Sequence, residues 1–282
     1  KIVIQSIDAL ADDNLRNQAR QLLTDWLPAA TQEGLSELLE GCNQQAADTS
    51  VPARNQLRFF LGELANWLRP PTAGRFNSDQ LSLLESLYHC LGNDWQTSQH
   101  VLSLLSLQRD ETALKILVEL LVNSPPSEST AVDLVLGPLI LAPPENTGIL
   151  FPRLLDGLAH PSIAVAVLDM ANYMTRENLL DSHPARERVN QLETLLHGIN
   201  HHLEQMPERP AEPEESLQQL HSTVANSIAL AVSLCDAMAL IASDTSISVL
   251  RLTCQLPHRR LRTEAAAALT GLGEEEGREI LL

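Results

Sequence analysis

The clearest helical alternation of apolar and polar residues lies between residues 256 and 273. A proline ends one helical segment there, apolar residues then recur on one helical face, and two glycines close the segment. The residues concerned are Pro257, then Leu261, Ala265, Ala268 and Leu272, then Gly271 and Gly273. A helical hairpin this small cannot bury its own apolar face, so we expect similar hairpins on both sides of it.

Related patterns occur along the rest of the chain. The order Leu-Arg-x-x-Ala at residues 261–265 returns at Leu15–Ala19, and Ala53–Leu57 holds the same position in another segment. Proline and turn signals divide the remainder into further helical pairs, so the sequence predicts an all-α fold of about seven hairpins without a sheet. The predicted helices cover residues 2–10, 31–42, 52–68, 78–91, 95–107, 110–122, 131–141, 186–205 and 214–242, and another begins near Leu15.

These hairpins resemble HEAT repeats, the units of armadillo-like α-solenoids, and the last one resembles the PBS-lyase type of repeat. Residues 149–168 have the family's order: a proline in the first helix, a proline in the turn and an apolar second helix, although Ala164 replaces a common arginine. The resemblance implies a right-handed α-solenoid forming a single domain over residues 1–282. It also implies a concave face built by the second helices, which begin near Leu15, Ala53, Ile163 and Leu261.

Three arginines, Arg16, Arg54 and Arg262, occupy one position of the repeated motif. In HEAT proteins such arginines bond to acidic groups and carbonyls of adjacent repeats, and Asp48 stands where the family's acidic partner would be. The resemblance therefore implies a structural arginine ladder. The alternative for the same residues is an anion-binding stripe.

Composition and charge narrow the classes of partner. Only 3% of residues are aromatic, which fits close helix packing, and the net charge of −17 disfavours nucleic acid and anionic membranes. We therefore expect a neutral or basic protein partner.

Four separated cysteines without CxxC spacing are expected to be buried and reduced, which points to a cytoplasmic location. They are Cys42, Cys90, Cys235 and Cys254.

One pair of helices departs from the repeat in length. Residues 206–215 between them are rich in proline and acidic residues, so we predict a mobile loop in which Glu208→Ala has little effect. The segment from Ser222 to Ser243 is apolar enough to suggest a membrane span. Asp236 near its middle would cost about 2.5–3.5 kcal/mol in a bilayer, so a helix packed between two layers is the favoured interpretation.

No catalytic, cofactor or metal site is predicted. His197 and His201 are one helical turn apart with His202 beside them, but Gly198 replaces the glutamate of an HExxH motif, so we expect no stoichiometric metal in an elemental analysis. The glycines at 271, 273 and 277 are spaced somewhat like a phosphate loop. They follow a helix instead of a strand, and a helix C-cap is therefore the favoured interpretation.

Three classes of function are compared. A non-catalytic protein–protein interaction scaffold, binding a protein or peptide on its concave face, is the expected function. The alternative is a HEAT-type enzyme or a chromophore lyase or chaperone. Similar solenoids include the di-iron deoxyhypusine hydroxylases, whose motif helices carry His-Glu pairs as iron ligands. Iron chemistry is not supported here, because the corresponding pair is Thr263–Glu264 and no His-Glu dipeptide occurs in the sequence. A basic nucleic-acid groove of the glycosylase type is disfavoured by the charge.

Both ends of the sequence give expectations of their own. The chain opens at Lys1 without a methionine or a signal-like segment, which suggests a fragment or processed form. Residues 274–282 begin another first helix, and an unfinished hairpin leaves an apolar face uncapped. We therefore expect either that the parent protein continues past Leu282 or that this end self-associates.

Overall fold

The computed structural model describes the backbone of residues 13–70, 75–205 and 214–282 and the side chains of residues 17–70, 75–205 and 222–282. Within these parts all regular elements are helical, which confirms the all-α prediction. The predicted helix at 2–10 and most of the predicted loop at 206–215 lie outside the described residues. The α-helices are α1 Asp13–Trp26, α2 Gln32–Ala46, α3 Val51–Leu68, α4 Ser78–Leu91, α5 Trp95–Gln108, α6 Glu111–Asn123, α7 Ser129–Leu141, α8 Pro161–Arg176, α9 Val189–Glu204, α10 Glu214–Ile241, α11 Ile247–Cys254, α12 Arg259–Gly271 and α13 Glu275–Leu281.

Short polar residues fix where several helices begin. The side chains of Thr31, Ser50 and Asp110 each accept a hydrogen bond from a backbone N–H in the first turn of α2, α3 and α6. At α4, Asn77 and Gln80 form a reciprocal capping box. The predicted helix bounds therefore agree with the observed ones to within a few residues.

The end of α12 confirms the C-cap interpretation for Gly273, whereas Gly271 is the last residue of α12 and Gly277 lies within α13. Gly273 has a φ of +89°, a conformation that suits glycine. Its N–H donates to the carbonyl of Thr270, and the N–H of Glu274 donates to the carbonyl of Leu269. These two bonds form a Schellman motif, which stops the helix and reverses the chain into α13.

The predicted α-helix around Pro152 is wrong. The structure has two short 3₁₀ segments there, Thr147–Ile149 and Arg153–Ala159. Proline has no N–H to donate and disfavours helical geometry at the preceding Phe151, which disfavours an α-helix through this point. The apolar helix predicted after it is present as α8.

The chain divides into two compact units, residues 1–154 and 155–282. In unit 1, α1, α3, α5 and α7 pack on one another in chain order, and α2, α4 and α6 do the same in a second row. Neighbours in sequence, such as α4 and α5, join the two rows. The described helices of unit 1 thus repeat one arrangement, and we call α1, α3, α5 and α7 the second-helix layer.

Leucines fill the space between the two rows of unit 1. A fully buried leucine contributes about 1.5–3 kcal/mol, so the core provides most of the stability. Buried polar side chains also link successive hairpins: Gln80 Nε2 donates to the Gln32 carbonyl at 2.7 Å, and Ser106 Oγ donates to the Val135 carbonyl at 2.7 Å. The fully buried leucines include Leu39, Leu57, Leu61, Leu64, Leu84, Leu104, Leu105, Leu114, Leu117 and Leu121.

Unit 2 repeats the same alternation. α10 packs against α8 and α12, while α9 packs against α11, and α13 folds back on α12. Three arginines tie the elements together: Arg188 contacts Asp156, Arg176 contacts Asp236, and Arg251 binds both Glu274 and Glu276. These ion pairs lie at the surface, where each contributes little by itself.

The long apolar helix α10 contains a stretch, Ser222–Ile241, that is long and apolar enough by length and composition to cross a membrane. In the structure α10 contacts α8, α9 and α12. Burial raises the pKa of Asp236, against the opposing effect of Arg176. Ser233 Oγ donates to Asp169 Oδ1 at 2.6 Å, so Ser233 and Asp236 both have partners on α8.

A buried polar network centred on His183 holds the segment before α9 against α8 and α10. His183 is 3% exposed; its Nδ1 accepts from the Ala185 N–H at 3.2 Å, so Nε2 carries the proton donated to Asn172 Oδ1 at 2.9 Å. Asn172 Nδ2 in turn donates to the Ser233 carbonyl. Burial lowers the pKa of His183 from 6.5 to about 4.

We expect this histidine to make unit 2 sensitive to mild acid. Because its folded pKa lies below its ordinary value, the unfolded state takes up the proton first as the pH falls. The contribution of neutral His183 to the free energy of unfolding is fully present above pH 6.5. It is lost progressively as the pH falls toward 4, by about 3 kcal/mol in total. Urea unfolding across this range should show a shallower pH dependence in His183→Gln than in the exposed control His197→Gln. Equal slopes in both variants would contradict the prediction.

Candidate functional site

The second-helix layer of unit 1 carries a row of arginines. Arg20 on α1 donates from Nε to Glu63 Oε1 on α3 at 2.9 Å. Its guanidinium carbon also lies 5.2 Å from the centre of the Phe59 ring, a distance suited to a cation–π contact. Arg20 therefore contacts α3 through both a carboxylate and an aromatic ring, while about half of its side chain stays exposed (51%).

Arg54 and Arg58 follow one helical turn apart on α3 and face the start of α5. Arg54 Nε lies 3.9 Å from Asp94 Oδ2, and Arg58 Nη2 lies 3.6 Å from Asp94 Oδ1. Charge-assisted N–H···O bonds measure about 2.7–2.9 Å, so both contacts are ionic without being hydrogen bonds. We call Arg54, Arg58, Asp94 and His100 the arginine cluster.

Asp94 is held in place by the helix that it caps. Its Oδ1 accepts from the Thr97 N–H at 3.2 Å and its Oδ2 accepts from the Thr97 hydroxyl at 2.7 Å. Because the cap fixes the carboxylate at the N-terminus of α5, it cannot move closer to the two guanidinium groups without losing these bonds. The Asp94 carboxylate is therefore hydrogen-bonded to the first turn of α5, and its contacts with the two arginines are ionic only.

Two nitrogens of the cluster are buried without a hydrogen-bond partner. They are Arg54 Nη1 and Arg58 Nε, two of five such side-chain atoms among the described residues. An unpaired buried donor costs about 1–3 kcal/mol, more when it is charged. The arrangement thus retains donors that an acceptor would stabilise.

His100 completes the cluster from α5. Its ring lies over Gly62, where an added Cβ would be 3.5 Å from Cε1. Burial, and to a smaller extent the charge of Arg58, lowers the pKa of His100 below 6.5, so the ring is neutral at pH 7. With two arginines and one aspartate, the cluster carries one excess positive charge in a chain of net charge −17.

The structure corrects the predicted partner of Arg54, although the observed acidic partner does belong to an adjacent hairpin, as the ladder implied. Arg54 contacts Asp94 of the next hairpin instead of Asp48, whose Oδ1 accepts from the Ser50 N–H at 2.8 Å. Hydrogen bonds from Ser50 are the main cause that lowers the pKa of Asp48, and Arg54 adds a smaller effect. Arg262 is exposed, and the side chain of Arg16 lies outside the described residues.

Sequence reasoning missed Arg58, Asp94 and His100. Arg58 follows Arg54 by four residues, a spacing that places both on one helical face and that could have drawn attention to the pair. No local sequence pattern pointed to Asp94 and His100, because their contacts with α3 depend on how two hairpins stack.

The histidines of α9 lie at the surface. His197, His201 and His202 are exposed, and His201 Nε2 is 2.9 Å from Gln205 Nε2. Among the described residues, no group of three His, Cys, Asp or Glu side chains is arranged to hold a metal ion. The absence of a bound metal stays a prediction for elemental analysis.

The cysteines follow the prediction in three positions and contradict it in one. Cys42, Cys235 and Cys254 are buried, and burial raises the pKa of Cys42 to about 12 and that of Cys254 to about 11. Cys90 on α4 is exposed.

A separate cleft of about 290 Å³ lies between the α4–α5 turn and the α6–α7 loop. The Tyr88 hydroxyl within it donates to the Ser124 carbonyl at 2.6 Å and is therefore already satisfied. Trp95 and the adjacent Pro125 and Pro126 give this cleft an aromatic and apolar wall.

Comparison with known proteins adds no assignment. No protein-family model and no curated protein sequence matches the chain.

Proposed function

We propose that this protein is a non-catalytic interaction scaffold of the HEAT-like α-solenoid class, which binds a protein or an extended peptide on its second helices. The supporting observation is the repeat-like packing, in which alternate helices stack on one another within each unit. Stacked helical hairpins of this kind present one continuous layer of second helices, and such layers commonly serve as extended binding surfaces.

The second-helix layer of unit 1 supports the location. It holds Arg20, Arg54, Arg58 and His100 within contact distance of neighbouring helices, together with the ring of Phe59. Arginine and aromatic side chains are enriched at the energetic centres of protein interfaces. In a chain dominated by acidic residues, this layer is where positive charge and an aromatic ring occur together.

Site-specific photo-crosslinking tests the proposal. A photoreactive residue at Asn55 or Gln96 lies on the second helices, and one at Gln44 or Ser86 lies on the first helices; all four positions are exposed. We expect a cell extract to yield a discrete crosslinked protein from the first pair, identified by mass spectrometry, and little from the second pair. Crosslinking should weaken as salt rises, since the complementary charges are screened.

Two outcomes would contradict the proposal. One is equal crosslinking from Gln44 and Ser86, which would move the binding face to the first helices. The other is turnover of a small molecule by the purified chain, which would favour the enzyme alternative.

A further inference from the structure

We propose that Arg58, with Arg54 behind it as a second positive charge, binds one carboxylate of the protein partner, and this inference rests on the scaffold function proposed above. Both guanidinium groups converge on Asp94 from α3, and both retain a buried nitrogen without an acceptor. The ligand is a side-chain carboxylate or the C-terminal carboxylate of the partner.

The unpaired nitrogens indicate an acceptor that comes from outside the described residues. Arg58 is 33% exposed, so its guanidinium reaches the surface although its Nε does not. A small rotation at the end of the side chain brings the planar N–H pair to a carboxylate docked at that surface, in the two-bond geometry that arginine favours. The side chain of Arg54 is only 14% exposed, so it lies deeper than Arg58 and contributes a fixed positive charge to the site.

The charge of the cluster favours a carboxylate over a phosphate. Two arginines and Asp94 leave one positive charge, which a singly charged carboxylate neutralises. A phosphate group with close to two negative charges would leave the site negative and would also meet the repulsion of a chain of net charge −17. The same repulsion favours a partner whose remaining surface is neutral or basic.

Side-chain NMR of the arginine Nε–H groups tests the inference without knowledge of the partner. The probes are sodium acetate and sodium phosphate, each added to the intact chain against sodium chloride at equal ionic strength. We expect acetate to shift the Arg58 Nε–H signal in a saturable manner, and phosphate to bind no more tightly than acetate. A response to acetate that matches chloride, or clearly tighter binding of phosphate, would overturn the carboxylate assignment.

Three variants separate binding from a structural role. Followed at the Arg54 Nε–H signal, which every variant retains, Arg58→Gln should weaken acetate binding about tenfold, whereas Arg69→Gln, an exposed site at the end of α3 with the same change of charge, should leave it within about twofold. Asp94→Asn keeps a side chain that caps α5 and removes the competing charge, so it should tighten acetate binding severalfold. Asp94→Asn binding acetate no better than the parent chain would contradict the proposal, as would equal losses in the two arginine variants.

Short peptides distinguish the two sources of the carboxylate. One peptide amide carries a single aspartate, a second carries only a free C-terminus, and a neutral peptide amide serves as the blank. Binding by either charged peptide above the blank supports the site and identifies the source; binding equal to the blank by both overturns it.

The anion site and the scaffold function can fail separately. If acetate binds while crosslinking finds no partner on the second helices, the scaffold function fails and the anion site stands. If crosslinking finds a partner there while acetate does not bind, only the anion site fails.

Discussion

Leu261→Asp is expected to unfold most of residues 155–282. Leu261 is fully buried on α12, which packs against α10, α11 and α13 at once. Removing the leucine side chain costs about 2–5 kcal/mol, and a buried carboxylate without a partner adds several more. Because a domain of this size is stable by only about 5–15 kcal/mol, little of the unit should remain folded. Far-ultraviolet circular dichroism should show the loss of helix, and urea unfolding should lose the transition that belongs to this unit.

Leu252→Asp is the matched control for this variant. It makes the same substitution in the same unit, but Leu252 on α11 is 42% exposed. A surface substitution changes stability by about 0.5 kcal/mol or less, so helix content and the unfolding midpoint should stay close to the parent values. If both variants lost the same amount of helix, burial of Leu261 would not be the reason.

Local sequence signals predicted most of the helices because they act within a few residues. The apolar repeat at residues 78–91 gave the bounds of α4, and the polar cap Asn77 precedes it as capping requires. The failure at Pro152 came from following a family order over a local rule. Proline removes one backbone hydrogen bond and disfavours helical geometry at the residue before it, and the rule that predicts this is also local, although α7 tolerates Pro138 near its end.

The candidate site was much harder to predict because it joins distant residues. Arg54 was visible as a motif position, but its partner was taken to be Asp48 on the basis of spacing along the chain. The actual contact is with Asp94, forty residues further on, and it exists only because α3 packs on α5. Repeat stacking sets this register, and a single sequence carries no direct record of it.

Gly277 shows a role that its spacing from Gly271 and Gly273 did not reveal. It is buried on α13, and a Cβ added there would lie 2.5 Å from the Ala266 carbonyl oxygen and 2.7 Å from the Thr270 nitrogen. Both atoms belong to the backbone of α12 and cannot turn aside as a side chain would. Glycine at this position therefore allows α13 to approach α12 closely.

Gly277→Ala is accordingly expected to destabilise unit 2 by about 1–3 kcal/mol, because the added methyl group forces α13 away from α12. Gly198→Ala on the exposed face of α9 is its control, since a Cβ there meets nothing within 4 Å. In that helix alanine should instead stabilise by about 0.5–1 kcal/mol, so the same substitution has opposite signs at the two sites. Urea unfolding of both variants measures the difference, and hydrogen exchange should show faster opening of α13 only in Gly277→Ala. Stabilisation by both substitutions would mean that α13 does not pack on α12 as closely as described.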